Sequence, residues 1–212
     1  MPAFGVQPLP PANVVYPETD GAPIAENTLQ FEWIAKIVNN LDALFEHDHD
    51  VFVAGDLFWY PVKGDPSAVM APDAMVAFGR PKGHRRSYMQ WDEGGVAPQV
   101  VFEVLSPSNR PAGELTRKLA FYDRFGVEEY YLFDPESAHF RVQGYLRIGA
   151  RLVEIPQMDR HKSPRLQVTF EVANKSLRLI RPDGRPFVSY AALANENARL
   201  RALLREKGIE PP

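Results

Sequence analysis

Two carboxylates interrupt stretches of this chain that otherwise have the character of a protein interior. Asp73 follows Pro72 and opens the run Asp73-Ala74-Met75-Val76-Ala77-Phe78, and Glu103 falls inside Gln99-Val100-Val101-Phe102-Glu103-Val104-Leu105. Short runs this apolar read as strands, and the second, being continuous, reads as a central strand covered on both faces. A lone carboxylate on such a strand is costly to bury unless it is paired or binds a metal. Two of them brought together repel each other, and a divalent cation relieves that repulsion. A lysine beside them completes a group able to activate water against a phosphodiester. Lys118, on the helix predicted after the second strand, is the candidate.

The surrounding pattern predicts an α/β fold: a mixed central sheet flanked by helices, with an extra β-rich C-terminal part and a terminal helix. Residues 1–20 carry Pro2, Pro8, Pro10, Pro11 and Pro17 and predict an extended or mobile arm, with a turn at Asp20-Gly21. Asn27 is placed to cap a helix over 28–46, whose apolar residues Phe31, Ile34, Ile37, Val38, Leu41, Leu44 and Phe45 follow helical spacing. Residues 51–54 and 56–60 read as one extended segment bent at Gly55. A long polar loop covers 79–97, and the central strand covers 99–105. A helix over 112–125, ended by Gly126, leads to a strand over 127–133. Segments 139–146, 151–155, 167–172 and 176–180 read as antiparallel strands, and 189–206 as a last helix. Three parts result: an arm over 1–20, one domain over 21–188 and a helical segment over 189–212.

Composition narrows the chemistry. With 212 residues, 45% of them hydrophobic and 24% charged, the chain has the make-up of an ordinary globular protein. It has no cysteine, which excludes disulfides, thiolate zinc sites and a cysteine nucleophile. No apolar run approaches the roughly 20 residues that cross a bilayer, and Met1-Pro2-Ala3-Phe4-Gly5 lacks the basic start of a signal peptide. The expectation is a cytoplasmic protein without a membrane partner. A net charge of -3 counts against a broadly basic surface. The basic residues are clustered, however, as Arg80, Lys82, Arg85 and Arg86 in one loop and as Arg110, Arg117, Lys118 and Arg124 around the helix after Glu103.

The roles that this group can fill follow from position. Side chains alternate along a strand, so Glu103 shares a face with Leu105, where many nucleases place a lysine. Lys118 is the replacement, if its helix packs back onto the sheet. Tyr122 lies one turn further on the same helix face, and Glu114 one turn before, where it could orient the ammonium. Asp73 and Glu103 would hold Mg²⁺, or Mn²⁺ in its place, with the backbone carbonyl of Val104 or Leu105 as a further ligand. Lys118 would orient or deprotonate the attacking water, or stabilise charge on the phosphoryl oxygens. Each residue alone has an ordinary reading: Asp73 as a turn cap, Glu103 as one half of a buried pair, Lys118 as a solvated helix lysine.

These stretches together resemble the Uma-two family of endonucleases, within the PD-(D/E)XK restriction-endonuclease-like superfamily. The resemblance is carried by Ala71-Pro72-Asp73, by Val101-Phe102-Glu103-Val104-Leu105-Ser106-Pro107-Ser108, by Lys118 with Tyr122, and by Gly126-Val127-Glu128-Glu129-Tyr130 running into Asp134-Pro135, with Asp20-Gly21 and Pro23 ahead of the first helix. It implies a metal-dependent nuclease core acting on nucleic acid, with DNA the expected substrate. It also implies that the lysine has moved from strand to helix, as Lys118 would have. Two positions depart from the family: Gln30 stands where the first helix often has histidine, and Glu114 where an aspartate is common. Superfamily members often place an acid on the first helix, where this chain has Glu26 and Glu32, the latter expected to be exposed.

Several rival features complete the reading. His47-x-His49 with Asp48 and Asp50 has the spacing of metal ligands on a strand, yet lies at a helix end, where a polar turn is the simpler account. Asp56 could project toward the site, with structural pairing as the alternative. Trp59 and Trp91 are the nearest thing to a sugar platform if the two acids served a glycosidase. In the last helix Tyr190, Leu193, Asn197, Leu200 and Leu204 alternate at spacings of three and four, the pattern of a short parallel coiled coil that would make a homodimer, with a helix packed on its own domain or frayed as the alternative. The alternative to an enzyme is a catalytically inactive nuclease fold that binds nucleic acid or protein, a reading favoured by Leu105, Gln30 and the acidic balance.

Overall fold

A computed structural model describes residues 14–19, 21, 23–108, 110–207 and 209. Its first helix, α1 (Thr28–Leu44), starts where Asn27 places its side-chain oxygen 2.8 Å from the Gln30 amide N–H. The strands that follow are β1 (Val51–Ala54), β2 (Trp59–Tyr60), β3 (Ala74–Phe78), β4 (Tyr88–Met89) and β5 (Val100–Val104). Helix α2 (Ala112–Phe125) ends at Gly126, whose φ of 94° is a left-handed conformation that a side chain would resist. Then come β6 (Glu129–Asp134), β7 (Arg141–Ile148), β8 (Arg151–Glu154), β9 (Thr169–Ala173), β10 (Ser176–Ile180) and α3 (Tyr190–Glu206).

The main sheet has six strands in the order β1-β3-β5-β6-β7-β8. Every neighbouring pair is antiparallel except β5 and β6, which run parallel and are joined by α2 as the crossover that parallel pairing requires. Pleating divides β5 between two cores. Val100, Phe102 and Val104 pack with Ile34, Ile37 and Leu41 of α1. Val101 and Leu105 pack on the other face with Tyr122 of α2 and with Tyr130. Glu103 therefore points toward α2. The mixed, helix-flanked α/β sheet is the expected architecture, and β7 and β8 extend it. The β9–β10 hairpin stands apart as a small sheet, while Phe170, Leu177 and Leu179 still join the α1-side core.

Four local expectations need correction. Residues 51–60 are not one bent strand: the chain turns at Gly55-Asp56, Asp56 has φ 50°, and Trp59–Tyr60 pairs in parallel with Tyr88–Met89 in a separate two-stranded sheet. That pairing also inserts a strand into what reads as a plain polar loop. Phe31 is exposed, and the buried stripe of α1 instead runs Gln30, Ile34, Ile37, Leu41, because the Gln30 amide is satisfied at the sheet. Of the proline-rich arm, residues 1–13 and Asp20 lie outside the described residues, but 14–19 is anchored. Tyr16 packs its ring 5.1 Å from those of Tyr60 and Trp91, and the Tyr60 hydroxyl donates to the Pro17 carbonyl at 2.6 Å. No described helix is long and apolar enough to cross a membrane.

Gly55 lets β1 leave the sheet between α1 and the start of β3. A Cβ there would lie 2.7 Å from Val38 Cγ2 and 3.0 Å from the Asp73 carbonyl oxygen. Gly55→Ala should therefore cost about 1–3 kcal/mol through overpacking. Gly113→Ala in α2, where a Cβ meets nothing within 4 Å, should be neutral or stabilising. Urea unfolding midpoints of the two variants check the contrast.

Candidate active site

The β3–β5 register sets Ala74 opposite Phe102, and the same register continued by one residue sets Asp73 opposite Glu103. Antiparallel pairing of two apolar runs thus brings the two carboxylates to one end of the sheet. Asp73 Oδ2 accepts the Val104 amide N–H at 2.6 Å. Glu103 is 1% exposed, and both of its oxygens are occupied. Lys118 Nζ donates to Oε2 at 2.6 Å and the Tyr122 hydroxyl donates to Oε1 at 2.5 Å. Lys118 and Tyr122 are one turn apart on α2, so the face of the helix packed on β5 carries both donors. The lysine expected on the helix does reach the strand glutamate, while Leu105 is part of the α2-side core.

Gln30 fixes the same strand from the other side. Its amide nitrogen donates to the Val104 carbonyl at 2.9 Å, and its oxygen accepts the Glu26 backbone N–H at 2.9 Å. The Val104 peptide is thereby held at its N–H by Asp73 and at its carbonyl by Gln30. Glu114 does not orient Lys118 by a hydrogen bond as expected. It forms a two-bonded pair with Arg117 at 2.6 and 3.0 Å, an i,i+3 neighbour better placed on the exposed side of α2, and acts on Lys118 through charge alone.

A cleft of about 560 Å³ opens over this group, lined by Asp73, Lys118 and Gln30, with Asp56, Glu26 and Arg117 around them. Glu103 lies beneath Lys118 rather than on the cleft wall. Another cavity, about 590 Å³ between Glu128, Arg147 and Arg165, includes none of these residues. Asp56 is the acid that the sequence reading left undecided. Its N–H donates to the Pro72 carbonyl at 3.0 Å, and the residue is part of the cleft lining. The signal was available in the topology: β1 and β3 are antiparallel neighbours, so a residue just after β1 lies beside the one just before β3. Glu26 also lines the cleft and accepts the Ser108 N–H at 3.3 Å, whereas Glu32 is exposed as expected.

Electrostatics follow the burial. Burial first, and then the charge of Glu103, pushes the Asp73 carboxyl well above the usual carboxylate range, against the opposing pull of Lys118 and the Val104 N–H; the charge of Asp56 adds to the rise. Burial pulls the Lys118 ammonium down, but the charges of Glu103 and Asp73 outweigh it and leave its pKa raised. Burial, and then Glu103, pushes the Tyr122 hydroxyl well up, so Tyr122 remains a donor.

Elsewhere the cationic clusters are largely neutralised. Lys82 pairs with Asp42 at 3.2 Å, Arg85 with Glu93 at 2.5 Å, Arg86 with Glu18 at 3.4 Å and Arg110 with Asp134 at 2.6 Å. Trp59 is buried, and Trp91 is covered by Tyr16, so neither offers a sugar platform beside the acids. His47 and His49 lie exposed in the turn after α1. Among the described residues no group of three or more His, Cys, Asp or Glu is arranged to hold a metal ion. The donors at Asp73 and Glu103 are oxygen only, and their mutual repulsion is recorded in the raised Asp73. Such a set suits a hard divalent cation that keeps most of its waters.

The site is thus a strand acid of the parallel central pair met by a lysine from the crossover helix that joins the two strands. The chain belongs to the Uma2 family, described as "Putative restriction endonuclease", whose model matches residues 17–183. Among solved structures, a similar one is the crystal structure of "a putative nuclease belonging to DUF820 from Anabaena variabilis ATCC 29413". It is 16% identical with a TM-score of 0.46, over 65% of this chain and 72% of that one. No curated protein matches the chain.

A carboxyl whose native pKa lies above its unfolded value of about 3.9 holds its proton more tightly when folded, so its contribution to stability falls as pH rises above about 4. Asp73→Asn removes that titration. The variant should gain stability relative to the wild type as pH rises above about 4, with little difference below it. Unfolding midpoints across that range measure it.

Proposed function

We propose that this chain is a divalent-metal-dependent endonuclease that hydrolyses phosphodiester bonds in DNA, with Mg²⁺ as its ion and Mn²⁺ as a substitute. The reading is supported above all by Asp73 and Lys118 on the wall of one cleft, with Glu103 buried beneath Lys118 and bonded to it, in a family described as "Putative restriction endonuclease". Asp73 and Glu103 would hold the ion, with the Val104 carbonyl beside them. A bound divalent cation supplies a more acidic water and a counter-charge for the phosphoryl oxygens.

The protein's own groups divide the remaining work. Because its neighbours raise its pKa, Lys118 is a cation throughout the neutral range; it serves to orient the nucleophile and to stabilise phosphoryl charge rather than to remove a proton. Tyr122 keeps Glu103 oriented through the hydrogen bond to Oε1. Gln30 holds the Val104 peptide, and so the end of β5, in place. Asp56 adds negative potential in the cleft. Arg117, fixed by Glu114 at the rim, is placed to meet a phosphate.

A second reading has its own observation. Glu103 is already fully paired by Lys118 and Tyr122, which is also how a retained but inactive site would satisfy a buried carboxylate. Plasmid and single-stranded DNA incubated with Mg²⁺, Mn²⁺ or EDTA separate the two. The nuclease should cut only with metal, and Glu103→Ala and Lys118→Ala should each slow cutting by about 10²-fold or more. Absence of cutting by pure wild type with either ion would replace the enzyme by a binding module.

A further inference from the structure

The terminal helix carries a seam that its own domain leaves uncovered. Helix α3 has no buried residue; Tyr190 is 81% exposed and Leu193 and Leu200 are each 49% exposed. Its root is nevertheless fixed. Asn40 of α1 donates to the Val188 carbonyl at 2.8 Å and accepts the Val188 N–H at 3.2 Å, and Ser189 caps the helix through the Ala192 N–H at 3.2 Å. A helix of this length is marginal in water without a packed face, and its single internal ion pair, Glu196 with Arg199 at 3.8 Å, adds little.

We infer that α3 pairs with α3 of a second copy of this chain as a parallel, two-stranded coiled coil. The observation that selects this occupant is self-complementarity of both apolar and charged positions. With Tyr190 at a heptad a position, Leu193 and Leu200 fall at d, and Asn197 and Leu204 at a. Glu196 then falls at g and Arg201 at the following e, the spacing at which g of one helix meets e of its parallel partner with opposite charge. Two Asn197 side chains meet across the seam only in the parallel, in-register arrangement, where they hydrogen-bond to each other. An apolar partner would leave that amide unsatisfied, and an antiparallel copy would set Glu196 and Arg201 out of reach of each other. Two heptads form a short seam, so the dimer is concentration-dependent. The inference stands independently of the nuclease reading.

Sedimentation equilibrium of the full chain over a wide concentration range reads the association, and a single-cysteine variant reads its direction. The chain has no native cysteine, so Lys207→Cys, at the next d position, introduces the sole thiol. The expected results are a monomer–dimer equilibrium, loss of the dimer in Leu200→Asp with an unchanged unfolding midpoint, and ready disulfide cross-linking of Lys207→Cys. A wild type that stays monomeric at all concentrations overturns the inference. So does a dimer that survives Leu200→Asp, or one in which Lys207→Cys does not cross-link.

Discussion

The buried charge of Glu103 is the constraint around which the sheet is organised. A carboxylate at 1% exposure on a central strand is untenable without partners. The chain meets this by packing α2 so that Lys118 and Tyr122 fall directly onto the two oxygens. The parallel β5–β6 pairing that requires a crossover helix also supplies the residues that neutralise the strand acid. Apolar packing of α2 through Tyr122 and the delivery of its cation to Glu103 are therefore one structural event.

Asp73 differs from Glu103 in what it lacks. Its carboxylate accepts the Val104 N–H, and among the described residues no lysine or arginine forms an ion pair with it. Burial and the neighbouring acids leave it reluctant to ionise. A protein that gained only stability from this arrangement would have little reason to keep a second acid there, with Asp56 a third in the same cleft. The Val104 peptide, held by Asp73 on one side and Gln30 on the other, joins β3, β5 and α1 at the point where the carboxylates meet. That rigidity is what a site must have if its donors are to stay in position before an ion or a phosphate arrives.

Much of this was legible in the sequence because it rests on local pattern. The bounds of α2 coincide with those read from its spacing and from Gly126, and Asp73, Glu103 and Lys118 do meet. The misreadings came from tertiary choices. Phe31 fits helical spacing as well as Gln30 does, and only the carbonyl waiting on β5 decides that the polar residue turns inward. The break at Gly55-Asp56 depends on how closely β1 passes Val38 and Asp73, and β4 exists because Tyr88 and Met89 find Trp59 and Tyr60 across a long loop. Glu114 had two basic neighbours within reach on its helix, and spacing alone could not choose Arg117 over Lys118. The neutralisation of the clustered arginines likewise depends on acids distant in sequence, such as Asp42 and Glu18.

The central claim is that Asp73 and Glu103 together form a divalent cation site. Titration calorimetry with Mn²⁺ on the wild type, Asp73→Asn and Glu103→Gln tests it without reference to any substrate. The account predicts saturable binding by the wild type that tightens as pH rises, because Asp73 must give up its proton, and that is lost in both variants. Binding that is absent from the wild type, or that is unchanged by either substitution, would contradict it.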